Sequence, residues 1–307
     1  FTSPRHDPVG VEHLRRRLEA QVQNREAQPD QIFFDTYNQI LSSYHYRSTP
    51  LTEETLGRID FQESYEVYRE RFADPGDFTF FFVGSMSAAD LRPLIETYIA
   101  GLPSTGTSER WVDRGIEEPT GVLRRTIEIG LEPISKIMLT FHGPYTWNRE
   151  NNHRLLSLSD TLNIRLREVI REDEGGTYGI GAYPSYSRYP DPHYLVQIYF
   201  STDPARTDEL VEKVLGVTRS MQREELDDSY VSRIQETQRQ KYAQSLRDNG
   251  YWLSVLKHAV FHGRELKSIL ELPEYIDELS ADELRDTARK YLDEDTMVQL
   301  ILLPEEE

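Results

Sequence analysis

The chain has 307 residues, enough for one large or two ordinary domains with a sizeable core. Apolar residues make up 37% and charged residues 29%, which excludes a disordered chain, and no run of 18 apolar residues is present to span a membrane. A net charge of −18 repels phosphate backbones and argues against nucleic acid as a partner, and the lack of cysteine excludes disulfides, thiolate metal ligands and a cysteine nucleophile.

The chain opens on Phe1 without a basic start or a following apolar stretch, so it reads as a piece of a longer precursor, and its compartment is undetermined. A long polar helix ends at Gln23-Asn24-Arg25-Glu26, and the aromatic pair Phe33-Phe34 opens the next. Apolar spacing of three to four predicts a helix over 61–72, then an acidic turn at Asp74-Pro75-Gly76-Asp77 and an apolar strand over 78–83. Residues 101–121, rich in turn formers from Pro103 to Ser108, read as a linker. Alternation predicts a strand over 122–129 and a partner over 136–142. A helix follows over 151–173, with Leu155, Leu158, Leu162, Leu166 and Val169 on one face, and Gly175-Gly176 stops it. Strands over 177–183 and 194–201 meet across Pro190-Asp191-Pro192. Helices come next at 206–224, 227–247, 251–262 and 281–292, then the turn Asp293-Glu294-Asp295 and a last strand over 296–303. This order predicts an α+β layer fold, with a mixed, mainly antiparallel sheet and helices packed on one face.

A repeat underlies the order. At a fixed offset of 219 positions, Tyr65 falls on Leu284, Phe72 on Tyr291, Phe78 on Met297 and Val83 on Leu302. The offset also brings the charged turn after the first polar helix onto Arg247-Asp248-Asn249, and Phe33-Phe34 onto Trp252-Leu253. Such a period is too long for a solenoid and suggests two copies of one domain. Residues 1–103 then read as the last part of a first repeat domain, lacking its opening strands, and 104–307 as a complete second. The truncated first sheet would have an exposed edge, through which two copies of the chain could pair as a homodimer.

Two constellations could carry chemistry. His258 and His262 have the i, i+4 spacing that places two imidazoles on one zinc ion, but Ala259 and Phe261 beside them offer no carboxylate for the metal-bound water. Glu12-His13 lacks its partner, because position 9 is Val9. No metal ligand is therefore assigned in this chain. The second is Arg171-Glu172-Asp173-Glu174-Gly175-Gly176-Thr177-Tyr178-Gly179. A helix end delivers a permanently charged guanidinium, paired glycines reverse the chain, and a strand presents a phenol seven residues later. Gly175, Gly176 and Gly179, with Thr177 among them, would let an extended peptide approach closely. The same residues also fit an ordinary helix C-cap before a glycine-rich strand, with Arg171 paired to a nearby acid.

The Arg171 to Tyr178 run, with Phe78-Thr79-Phe80-Phe81-Phe82-Val83-Gly84 and Leu91-Arg92-Pro93-Leu94, resembles the insulinase/pitrilysin/mitochondrial-processing-peptidase family of zinc metallopeptidases, and its bacterial periplasmic members most. The resemblance covers nearly the whole chain. It implies a two-half peptidase closing on a chamber, in which this chain is the C-terminal, zinc-free half. The zinc and its His-x-x-Glu-His motif would lie in the N-terminal half or a partner subunit, which is missing here. By the resemblance, Arg171 and Tyr178 are catalytic, holding the peptide substrate and its tetrahedral intermediate, and the compartment is periplasmic. A non-catalytic interaction or scaffold subunit of the same family is the competing reading.

Overall fold

The computed structural model describes residues 1–25, 27–106, 108–171, 177, 179–224 and 226–305. Five helices come first: α1 (Pro8–Gln23), α2 (Pro29–Leu41), α3 (Glu53–Gly57), α4 (Phe61–Phe72) and α5 (Ala88–Tyr98). Strands β1 (Val122–Glu128) and β2 (Ser135–Pro144) follow, then α6 (Arg149–Arg171), β3 (Gly179–Ser187) and β4 (His193–Thr202). The chain continues through α7 (Thr207–Arg223), α8 (Asp228–Ser245), α9 (Asn249–Phe261), α10 (Leu272–Glu278), α11 (Ala281–Tyr291) and β5 (Met297–Leu303). Side-chain caps set the helix starts: Asp7 accepts from Gly10 N–H at α1, Asp60 from Gln62 and Glu63 at α4, and Asp248 from Tyr251 at α9. Ser280 and Glu283 form a reciprocal capping box at α11.

The fold is α+β with one mixed five-stranded sheet in the order β1-β5-β2-β4-β3. β5 lies between β1, which it pairs in parallel, and β2, which it pairs antiparallel. β2 with β4 and β3 with β4 are antiparallel. One face of the sheet packs on α6, α7 and α11. Leu155, Leu158, Leu162 and Leu166 of α6 are fully buried there with Val214 of α7 and Ala288 of α11. The stripe on α6 ends on Ile170 and not on the predicted Val169, which is 37% exposed. The row advances by four from Leu158 to Leu162, Leu166 and Ile170, and Val169 falls outside it. A helix also covers the opposite face. There α2 lays Phe33, Tyr37 and Ile40 on Met138, Val298, Leu300 and Leu302.

By contact the chain forms two compact units, each built from separate stretches. Unit 1 comprises Phe1–Arg25, Pro50–Arg114 and Gln244–Ile269; unit 2 comprises Glu26–Thr49, Gly115–Ala243 and Leu270–Glu307. The whole sheet belongs to unit 2. The predicted strand over 78–83 is not found as one: these residues take part in no ladder among the described residues. The reason lies in the pairing. β5 has β1 and β2 to bond, whereas no described strand lies beside 78–83.

Candidate functional site

The predicted site lies where α6 gives way to β3. The helix reaches Arg171, and the first residue of β3 is Gly179. Gly175, Gly176 and Tyr178, along with the Arg171 side chain, lie outside the described residues, and Thr177 is half-buried. Gly179 is exposed, and a Cβ added to it would meet nothing within 4 Å. The packing of the described residues therefore does not demand a glycine there. What the glycine leaves is open space over a strand whose one sheet neighbour among the described residues is β4.

Helix α6 is bolted to β3 by polar contacts. Asn163 accepts from the Ala182 N–H at 2.8 Å and donates Nδ2 to the Ala182 carbonyl at 2.9 Å, where Ser159 Oγ also donates at 2.9 Å. An amide side chain thus stands in for a neighbouring strand and satisfies both backbone groups of a buried residue. Since ladder groups alternate in direction, Ile180, Pro184 and Tyr186 face the same free side as Ala182. Ala182 is taken by Asn163 and Pro184 has no N–H. Among the described residues, the backbone groups left open at the start of this edge are consequently those of Ile180.

The helical histidine pair is where the sequence placed it. His258 lies in the last turn of α9 and His262 is its C-cap residue, with ring centroids 4.4 Å apart. Burial is the main cause holding the His258 imidazole below its usual 6.5, followed by the charges of His262 and Arg264. Among the described residues no three His, Asp or Glu side chains are arranged to hold a metal ion. A zinc ion of the kind the family resemblance implies finds no fitting donor set here.

A second cluster gave no signal in the sequence. Glu118 accepts from or pairs with His142 Nδ1 at 3.1 Å through one oxygen, and its other oxygen lies 3.9 Å from His193 Nε2. The three line a cleft of about 670 Å³ with Asn38, Pro119 and Asp191. The His142 side chain is 3% exposed, and its Nε2 makes no hydrogen bond among the described residues. The cluster ties the irregular segment around Glu118 to the ends of β2 and β4. Spacings of 24 and 51 positions between its members hid it, because only the β2–β4 register brings His142 and His193 to the same sheet end.

Several solved structures share this fold. The family model described as the peptidase M16 inactive domain matches residues 58–238, and the chain belongs to that family. It is 24% identical over 253 residues to a probable zinc protease PqqL from Haemophilus influenzae, covering 78% of this chain and 27% of that protein. A zinc protease PQQL-like protein from Arabidopsis thaliana is 23% identical over 266 residues, covering 81% of this chain and 27% of that one. The chain thus spans about a quarter of the length of these curated relatives. The periplasmic protease PqqL from Escherichia coli superimposes with a TM-score of 0.82 at 17% identity, over 96% of this chain and 32% of that one. The peptidase M16 inactive domain from Pseudomonas fluorescens gives a TM-score of 0.77 at 15% identity, over 99% of this chain and 72% of that one. No described helix is long and apolar enough to cross a membrane.

Proposed function

We propose that this chain forms the zinc-free wall of a metallopeptidase chamber and holds the substrate peptide, while the metal comes from an N-terminal half or partner subunit. Membership of the inactive-domain family is the observation that carries this reading. It is supported by the open edge at the start of β3, where an extended peptide could pair with Ile180 and pass close to Gly179. In this reading Arg171 and Tyr178 donate hydrogen bonds to the substrate carbonyl as it gains negative charge. Gly175, Gly176, Thr177 and Gly179 are assigned to substrate binding in the same reading. The domain reading belongs to the same proposal: 1–103 is the end of a first repeat and 104–307 a whole second one. The full protein would work in the periplasm, like the Escherichia coli protein that this chain resembles in fold.

The test uses the full-length protein. Arg171→Ala and Tyr178→Phe should each lower peptide turnover by about ten- to a thousandfold, with zinc content unchanged. Wild-type turnover in both variants would refute the assigned roles. A full-length protein that binds peptides and cleaves none would favour the scaffold reading.

A further inference from the structure

Strand β3 returns along α6, and Asn163 fixes their register at Ala182. Four residues along a helix advance the chain about 6 Å, and two along a strand about 6.6 Å. One turn beyond Asn163, Arg167 therefore stands level with Ile180, whose backbone groups are open. Asn163, Arg167 and Arg171 recur every four positions, so the row that begins with the clamp leads to the arginine assigned to the substrate.

Arg167 is exposed, and its Nε donates to the Asn163 carbonyl at 2.7 Å. That bond steadies the side chain against its own helix and leaves the two terminal nitrogens of the guanidinium without an acid among the described residues. Helix α8 presents Arg233 and Lys241 to the same cleft, with Thr237 between them at a spacing of four. The cleft, of about 390 Å³, lies between α6 and α8 and is lined by these three cations and one acid, Asp160. The balance is the reverse of the whole chain, which has 53 acids against 35 lysines and arginines. Asp160 already accepts from Gln238 at 3.1 Å and lies 3.8 Å from Lys241. Glu168, the nearest other acid on α6, accepts from Tyr230 at 2.6 Å and reaches Arg233 at 4.0 Å. Neither neutralises Arg167. All these residues belong to unit 2.

We propose that Arg167 is a specificity-determining residue: with Arg233 and Lys241 it takes a carboxylate side chain of the substrate peptide, carried close to the residue that pairs with Ile180. The occupant is an acidic peptide because charge, not apolar surface, marks the cleft. A peptide strand beside Ile180 lies along the α6 turn that carries Arg167, so its side chains pass the mouth of the cleft. The two terminal nitrogens of a guanidinium fit the two oxygens of a carboxylate by parallel hydrogen bonds. The net charge of −18 does not prevent this, since charges more than about 10 Å away are largely screened at 0.1 M salt and the local cations decide at contact. The proposal rests on reading the β3 edge as the peptide site, and it adds which peptides are held there.

Binding of fluorescent peptides to the full-length protein tests it, with any metal removed by chelation so that the peptides stay whole. A short peptide carries a single Glu moved along its length, each version is set against a Gln control, and anisotropy gives both dissociation constants. At one position the Glu peptide should bind about fivefold more tightly or better. Arg167→Gln should bring that ratio close to one, Arg167→Lys should keep part of it, and Arg167→Glu should invert it. Arg71→Gln, which removes the same charge from unit 1, should leave the ratio as it is. A ratio of one at every position in the unaltered protein overturns the proposal and leaves the β3 edge standing as a peptide site. An equal fall in Arg71→Gln and Arg167→Gln also overturns it, because net charge alone would then account for the preference. Failure of every peptide to bind overturns the edge reading and the proposal together.

Discussion

In unit 2, α11 runs from its capping box through a short turn into β5, which is buried between two strands. In unit 1, α4 runs from the Asp60 cap through a 3-10 turn at Pro75–Asp77 into 78–83, which joins no ladder among the described residues. Both stretches have much the same local sequence pattern. Helix and turn form in both because their hydrogen bonds close within a few residues. The strand forms in only one because its partners must come from elsewhere in the chain. Local pattern is enough to write a helix, and a strand also needs company.

The largest expected effect contrasts the matched positions Ile301 and Phe82. Ile301→Ala should cost about 2–5 kcal/mol, since it empties a packed site in the sheet core. Phe82→Ala, at a half-exposed ring, should cost under about 1 kcal/mol in this chain. Urea unfolding of both variants measures the two costs. Equal costs would mean that unit 1 has a core of its own, and the contrast between the units would fall.

The next effect separates α2 from α9. The Tyr37 hydroxyl lies 2.8 Å from Thr140 Oγ1 and accepts from Gln197 Nε2 at 2.5 Å. Burial pushes this phenol up to about 12, so it stays a neutral donor at any working pH. Tyr37→Phe should cost about 1–3 kcal/mol, because Gln197 and Thr140 are left with an unmet bond inside. The matched residue on α9 is Leu256, which has no such group, and Leu256→Ala should cost less in this chain. A neutral Tyr37→Phe in chemical denaturation would sink the view that α2 is pinned by more than apolar contact.

Much of unit 2 could be read from the sequence, and the reasons are local. Strands β1, β2 and β4 and helices α6, α7 and α11 lie within two residues of their predicted ends because apolar spacing and glycine or acidic stops mark them. The insertion of β5 between β1 and β2 was not legible, since strand order depends on contacts more than 150 positions apart. The placing of α2 in unit 2 and α9 in unit 1 was hidden for the same reason: Phe33 and Trp252 have similar surroundings in sequence, and only packing assigns each to its unit. In the candidate site, a helix ending near Arg171 and a strand after the glycines were readable, although the strand was expected over 177–183 and β3 runs from Gly179 to Ser187, whereas Asn163 clamping Ala182 and Glu118 between two histidines needed the assembled sheet.

A smaller effect compares the ties on either side of the linker. Glu118 holds a buried His142 in unit 2, and Glu118→Ala should cost about 1 kcal/mol through the lost acceptor. In unit 1, Arg71 and Glu109 pair at 2.7 Å with both side chains more than half exposed. Glu109→Ala should cost less than Glu118→Ala, and less still at high salt. Salt titration of both variants distinguishes them, and a salt-sensitive loss at Glu118 would show that its tie is a surface one.

The smallest effect is one of pH, and each unit carries a histidine that bears on it. Burial chiefly holds His153 below its usual 6.5, with Arg154 adding to this, against the Gln238 hydrogen bond and the charges of Glu283 and Asp160. His258 is also lowered, first by burial. As the pH falls through about 6.5 the unfolded chain takes up these protons and the folded chain resists them. Stability present above that pH is therefore lost on the way down to the folded pKa and levels off below it. His153→Gln should flatten the fall in melting temperature between about pH 7.5 and 5.5, since a glutamine cannot charge. His258→Gln should flatten it less, because its imidazole lies half-buried in unit 1 while His153 is 7% exposed inside unit 2. An unchanged slope in His153→Gln would mean that the ring finds compensation for its charge in the folded state, and a larger change in His258→Gln would mean that unit 1 is the more tightly packed of the two.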